Sequence, residues 1–74
     1  MEDITLAYLQ PNEVGIIKEI TGSNDVKKRL FELGLNRGAQ IKIVKNDIGP
    51  IILTISGTKL ALGRALASEI IIQR

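Results

Sequence analysis

The sequence predicts a mainly β domain: a small barrel of short strands with one inserted α-helix and a short helical turn near its end. Three observations predict it. Ile, Leu and Val make up 25 of the 74 residues, and β-branched side chains suit a pleated, half-buried sheet. Five short stretches that read as strands recur along the chain, bounded by clusters of Gly, Pro, Asn and Ser. A single segment between the first and second of them carries helical spacing instead. The length holds one domain, residues 1–74, with an expected folded surface of ~4,500 Å².

The elements follow in order. Leu6 and Leu9, three apart, predict a short turn lying on the core before the break at Gln10-Pro11-Asn12-Glu13. Val14 to Ile20 reads as the first strand, with Val14, Ile16 and Ile20 on one face and Gly15, Ile17 and Glu19 on the other. Lys18 interrupts the first of these faces, and Ile17 leaves an apolar side chain on the second. Thr21-Gly22-Ser23-Asn24 closes that strand and opens a helix. Ser23 or Asn24 is the N-cap, and Asp25 sits in the first turn, where the helix dipole favours an acid. Val26, Leu30 and Leu33 form one apolar stripe. Gly34 follows at the position where a left-handed residue ends a helix, and Leu35 can pack back on Leu30.

Gln40 to Lys45 is the second strand, with Ile41 and Ile43 inward. Asn46-Asp47-Ile48-Gly49-Pro50 is a hairpin loop, and Ile51 to Ser56 is the third strand. Ser56-Gly57-Thr58-Lys59 reads as a two-residue hairpin with Gly57 first, the type II′ preference. Lys59 to Leu62 forms the fourth strand, Gly63 to Ser68 a short helical turn, and Glu69 to Gln73 the closing strand. Closure into a barrel would remove the exposed edges of so aliphatic a sheet.

Composition narrows function before any motif does. With no cysteine there are no disulfides, no thiolate chemistry and no Cys-type zinc site. With no histidine the usual general base and the commonest metal ligand are missing as well. The expectation is a protein that is not an enzyme and carries no cofactor. A net charge of +2 neither demands nor excludes an anionic partner. Met1 is followed by Glu2 and Asp3 rather than by a basic stretch, which predicts no signal peptide. No apolar run approaches the ~20 residues of a spanning helix, so the chain is expected to be cytoplasmic.

The segment Arg29-Leu30-Phe31-Glu32-Leu33-Gly34-Leu35-Asn36-Arg37-Gly38 resembles the R-L-x-x-L-G-[apolar]-x-x-G segment of the FeoA family, small SH3-like accessory proteins of bacterial ferrous iron uptake. The rest is similar in order: Leu6-x-x-Leu9-x-Pro11-x-Glu13, then Ile20-Thr21-Gly22, a basic strand and a Gly-Pro hairpin. Ile55-Ser56-Gly57-Thr58-Lys59-Leu60-Ala61-Leu62-Gly63-Arg64 and Ala67-x-x-Ile70-x-Ile72 complete the set. Each piece alone is weak, and the ordered set is far more specific. One departure is Arg37, where family members often carry Pro. The resemblance implies an SH3-like barrel of five to six strands, with Leu30, Leu33, Gly34, Leu35, Gly38 and Gly57 as its structural motif. It implies a partner rather than a reaction: the cytosolic G-protein domain of a FeoB-type iron permease. The protein would then act as a monomer and meet the inner membrane only through that permease. The same fold also serves as the C-terminal domain of DtxR-type metal-dependent repressors, alongside a helix-turn-helix domain for which 74 residues leave no room.

The expected partner-binding residues are Arg29, Phe31 and Arg37, with Lys28 and Lys42 at the rim. Arginine and aromatic side chains supply most interface energy. Each has a plainer alternative. Phe31 either plugs a gap between helix and barrel or stands as a partly exposed anchor. Arg29 either joins Arg37 in a patch or bonds the carbonyls of a neighbouring loop. Lys28 and Glu32 are spaced for a surface pair worth a few tenths of a kcal/mol. The carboxylates Glu2, Asp3, Glu13, Glu19, Asp25, Glu32, Asp47 and Glu69 are scattered, and no metal site is expected from them. Gly57-Thr58-Lys59 lacks the frame of a phosphate-binding loop. The alternative function is a small regulatory barrel that binds nucleic acid or a metal-regulator partner. Stacking on single strands needs aromatic platforms, and Tyr8 and Phe31 are the only aromatics, so no nucleic acid is expected.

Overall fold

The computed structural model describes residues 3–73. Met1 and Glu2, on which the expected lack of a signal peptide partly rests, and Arg74 lie outside the described residues. Six strands form one antiparallel sheet: β1 (Asp3–Thr5), β2 (Val14–Ile20), β3 (Gln40–Lys45), β4 (Ile51–Ile55), β5 (Thr58–Leu62) and β6 (Ile70–Gln73). The helix α1 (Asn24–Glu32) lies between β2 and β3, and the single turn α2 (Arg64–Ala67) between β5 and β6. The spatial order is β1-β6-β2-β3-β4-β5. No ladder joins β5 to β1 among the described residues, so the expected closure is not made by hydrogen bonds and both strands keep an edge. The total exposed surface is 4661 Å², close to the value expected for this mass.

The strand β1 was not expected. Three residues are too few for a period-2 pattern to register, and β1 exists because Ile4 pairs with Ile72 at the far end of the chain. Leu6 and Leu9 bracket a 3-10 turn (Leu6–Tyr8) and are both fully buried, as their spacing predicts. Two distant segments are locked over this turn. The Asn46 side-chain amide donates to the carbonyls of Ala7 (3.0 Å) and Leu9 (2.6 Å). The Arg64 guanidinium donates in turn to Asn46 Oδ1 (2.8 Å) and to the Asp47 carbonyl.

Of the two faces of β2, the structure buries the one that carries Gly15 and Ile17. Val14 and Ile16 are 44% and 38% exposed, whereas Ile17 is 1% exposed and Gly15 is buried. Paired residues on neighbouring strands share a face. Gly15 pairs with Ile41 and Ile17 with Ile72, both core residues, so the partners decide which way β2 turns. Gly15 is required there, because a Cβ at that position would sit 2.2 Å from Ile72 Cγ2. The register then shifts between Ile17 and Glu19, a bulge at Lys18 that returns Ile20 to the core side.

The helix α1 keeps most of its expected form. Ser23 is the N-cap, its Oγ accepting from the Val26 N–H at 3.3 Å. At the other end the Leu35 N–H reaches Leu30 O and the Gly34 N–H reaches Phe31 O, both at 2.9 Å. That pair of bonds is a Schellman motif, with Gly34 at φ +89° in the left-handed position. Leu30 and Leu35 are fully buried, but Leu33 is 40% exposed and leaves the expected stripe. Leu33 caps the helix, and the chain there already turns off the core. The expected Lys28–Glu32 pair is not formed; the ion pair among the described residues is Lys18–Asp3 at 2.6 Å.

The β4–β5 hairpin also differs from expectation. Ile55 pairs with Thr58, so the loop residues are Ser56 and Gly57, at φ +51° and +78°. Two consecutive positive values make a type I′ turn with Gly57 second, not a type II′ turn with Gly57 first. Strand β5 accordingly begins at Thr58, one residue earlier than expected.

Candidate functional site

An open groove of about 450 Å³ runs between α1 and the β2 end of the sheet. Lys27 and Phe31 line it from the helix, Glu19 and Ile20 from β2, and Asn36 and Arg37 from the loop after the cap. Local structure explains the gathering. Residues four apart share a helix face, so Lys27 and Phe31 stand one above the other. The Schellman cap then reverses the chain, and the next turn is tied to the sheet. The Gly38 N–H donates to Ile17 O at 2.7 Å, and the Ile17 N–H donates to Ala39 O at 2.9 Å. Those bonds hold Asn36 and Arg37 beside the bulge in β2. On the other side, Thr21 Oγ1 donates to Glu69 Oε2 at 2.9 Å, which fixes the β2–α1 connection against β6.

Phe31 is 67% exposed, so it is not a plug between helix and sheet. The physical reason is its position one residue past Leu30, which with Val26 takes the core-facing direction of the helix. The groove therefore offers an exposed ring and the half-buried Ile20, flanked by the cations Lys27 and Arg37 and one acid, Glu19. Neither cation has an ion-pair partner among the described residues. Asn36 also lines the groove, although its Oδ1 is buried and has no hydrogen-bond partner among the described residues. Such a surface suits binding: apolar area at the centre, directional donors at the edge.

Of the five residues expected to bind a partner, the groove gathers Phe31 and Arg37. Arg29 is two positions from Phe31 and so lies about 200° around the helix from it. Its guanidinium has no hydrogen-bond partner among the described residues, so it does not clamp a loop as the alternative required. It occupies the last turn of α1, where a cation is favoured by the helix dipole. Lys28 is exposed on the helix and Lys42 on the outer face of β3, both outside the groove. Lys27 belongs to the basic segment Lys27-Lys28-Arg29 that invites partner binding, but it was not among the five expected residues, although its spacing from Phe31 carried the signal. Glu19, Ile20 and Asn36 gave none, since only the bulge and the cap bring them together. Among the described residues no three acidic side chains converge on a point where a metal ion could sit.

The match to known proteins covers this whole framework. Residues 4–74 match the FeoA domain. This chain belongs to the FeoA family. A Methanocaldococcus jannaschii protein named for Fe(2+) transport is 34% identical over 68 residues, 92% of this chain and 83% of its own length. The crystal structure of an iron uptake regulatory protein, FeoA, superposes with a TM-score of 0.93 at 29% identity, covering 97% of both chains. The FeoA of Stenotrophomonas maltophilia, solved with zinc and described as an SH3 domain protein, gives 0.83 at 24% identity, covering 95% of this chain and 89% of its own. The fold is thus SH3-like, and the family is linked to Fe(2+) transport as an accessory protein. No helix among the described residues is long and apolar enough to cross a membrane.

Proposed function

We propose that this FeoA protein is a non-enzymatic regulator of ferrous iron uptake that docks on the cytosolic G-protein domain of a FeoB-type permease. It works in the cytoplasm and reaches the membrane only through that partner. The observation that carries the reading is Phe31, an exposed aromatic held between Lys27 and Arg37 on a rigidly capped helix. An exposed ring costs solvation in the free protein and gains most when a partner covers it. Arg37 adds a planar fork for a carboxylate on the partner. Arg29, Lys28 and Lys42 are rim charges that alter encounter rate more than affinity.

The test is an NMR titration of the full chain with the permease's cytosolic domain, in each nucleotide state. Resonances of Lys27, Phe31, Asn36 and Arg37 are expected to shift together. Phe31→Ala should weaken binding by about tenfold or more, as truncation of a central aromatic does. Binding that leaves these four residues unperturbed would move the interface elsewhere. No binding in any nucleotide state would end the reading.

A further inference from the structure

Strand β5 ends the sheet, and nothing pairs with its far side among the described residues. The two-residue turn makes Ile55 and Thr58 a hydrogen-bonded pair, and such pairs alternate along an antiparallel ladder. Thr58, Leu60 and Leu62 therefore turn their peptide groups to β4, while Lys59 and Ala61 turn theirs to solvent. A row of free N–H and C=O groups of this kind is a template for a further strand.

The face beside that edge is basic. Strands β3, β4 and β5 contain three lysines and no acidic residue. All three lysines point outward. Lys42 and Lys59 both pair with Thr54, and Lys45 pairs with Ile52, on the side of β4 away from the buried Ile51, Leu53 and Ile55. None of the three has an ion-pair partner among the described residues. On the inner side of the same edge lies Leu60, half-buried at the margin of the core.

We propose that β5 is a docking edge for an extended acidic segment of a partner protein, which adds beside Lys59–Ala61 as a further strand. The segment alternates acidic and apolar residues: acids on the outer face over Lys59, apolar side chains inward against Leu60. A strand added ~4.8 Å beyond β5 puts its carboxylates in direct reach of Lys59. Lys42 lies three strand spacings from that position, about 14 Å, beyond the Debye length of about 8–10 Å, so its attraction is largely screened at physiological salt and Lys59 carries the charge contact. The same lysines select the occupant. A second copy of this chain would bring Lys59 against a like-charged edge, and a lipid surface cannot satisfy the free peptide groups.

The experiment is an NMR titration of the full chain with a short peptide alternating Glu and Val. The Lys59 and Ala61 amides should shift and their hydrogen exchange should slow. Lys59→Glu should weaken binding about tenfold or more, and added salt should weaken it too. A peptide of the same sequence, N-methylated on the backbone amides that face β5, should not bind. No shift at Lys59 and Ala61 up to millimolar peptide would overturn the proposal. So would equal binding of the N-methylated peptide or of a Lys-for-Glu peptide, or binding only to anionic vesicles or to an oligonucleotide. The edge shares no residue with the groove, so failure here leaves the permease reading standing, and shifts confined to Lys27, Phe31 and Arg37 would assign the peptide to the groove instead.

Discussion

Helix α1 and strand β2 are adjacent in the chain, yet their determinants lie at different distances. Every bond that shapes α1 is local: Ser23 caps its start, and the Gly34 and Leu35 amides close its end. Strand β2 takes its orientation from Ile41 on β3 and Ile72 on β6, and its bend from a bulge opposite β6. A capped helix carries its instructions in a dozen consecutive residues. A strand with apolar side chains on both faces does not, and waits for its neighbours.

Substitutions can break or sharpen that contrast. The largest effects should be Leu30→Ala and Ile17→Ala, each costing about 2–5 kcal/mol from a fully buried site. In a domain of this size that loss approaches the whole stability. Urea unfolding should show Ile16→Ala costing far less than Ile17→Ala, and equal losses would overturn the assignment of the two faces. Next comes Gly15→Ala, at about 1–3 kcal/mol, because its methyl would meet Ile72 and force repacking. A near-native melt for this variant would mean that β2 can slide away from β6.

Gly34→Ala should cost about 1–2 kcal/mol, the penalty of a left-handed L-residue. Nothing lies within 4 Å of the added methyl, so strain is the whole of that loss. Thermal melts of the Gly34→Ala and Gly15→Ala variants therefore compare a backbone cost with a packing cost. The smallest expected effect is Phe31→Ala, within about 0.5 kcal/mol, as for an exposed residue outside the core. A drop of several kcal/mol there would make the ring structural and remove the centre of the groove.

The two proposed surfaces differ in the same way as the two elements. Half of the groove was legible, because Lys27, Phe31 and Arg37 belong to one short segment with a predictable cap. The other half depends on the Lys18 bulge, which no local signal announces. The basic face of β3 to β5 was legible only as scattered lysines. Its meaning came from register: Lys42 and Lys59 share a row because each pairs with Thr54.

By itself the sequence determined the elements whose hydrogen bonds close within a few residues. These are the 3-10 turn bracketed by Leu6 and Leu9 and the helix from its Ser23 cap to Gly34; β3 was legible instead from the alternation of Ile41 and Ile43 with polar residues, although its ladders join residues far apart. It also determined the chemistry that is absent, since a chain without Cys or His has neither thiolate nor imidazole to offer. Tertiary structure decided the rest. It chose the inward face of β2 and created β1 from three residues by pairing them with β6. It put Ser56 rather than Thr58 in the turn and turned Phe31 outward. The physical reason is common to all four. Each was a choice between local conformations of similar energy, and pairing or packing supplied the difference: Ile72 on Gly15, Ile4 beside Ile72, Ile55 opposite Thr58, and Leu30 taking the core-facing direction of α1 beside Phe31.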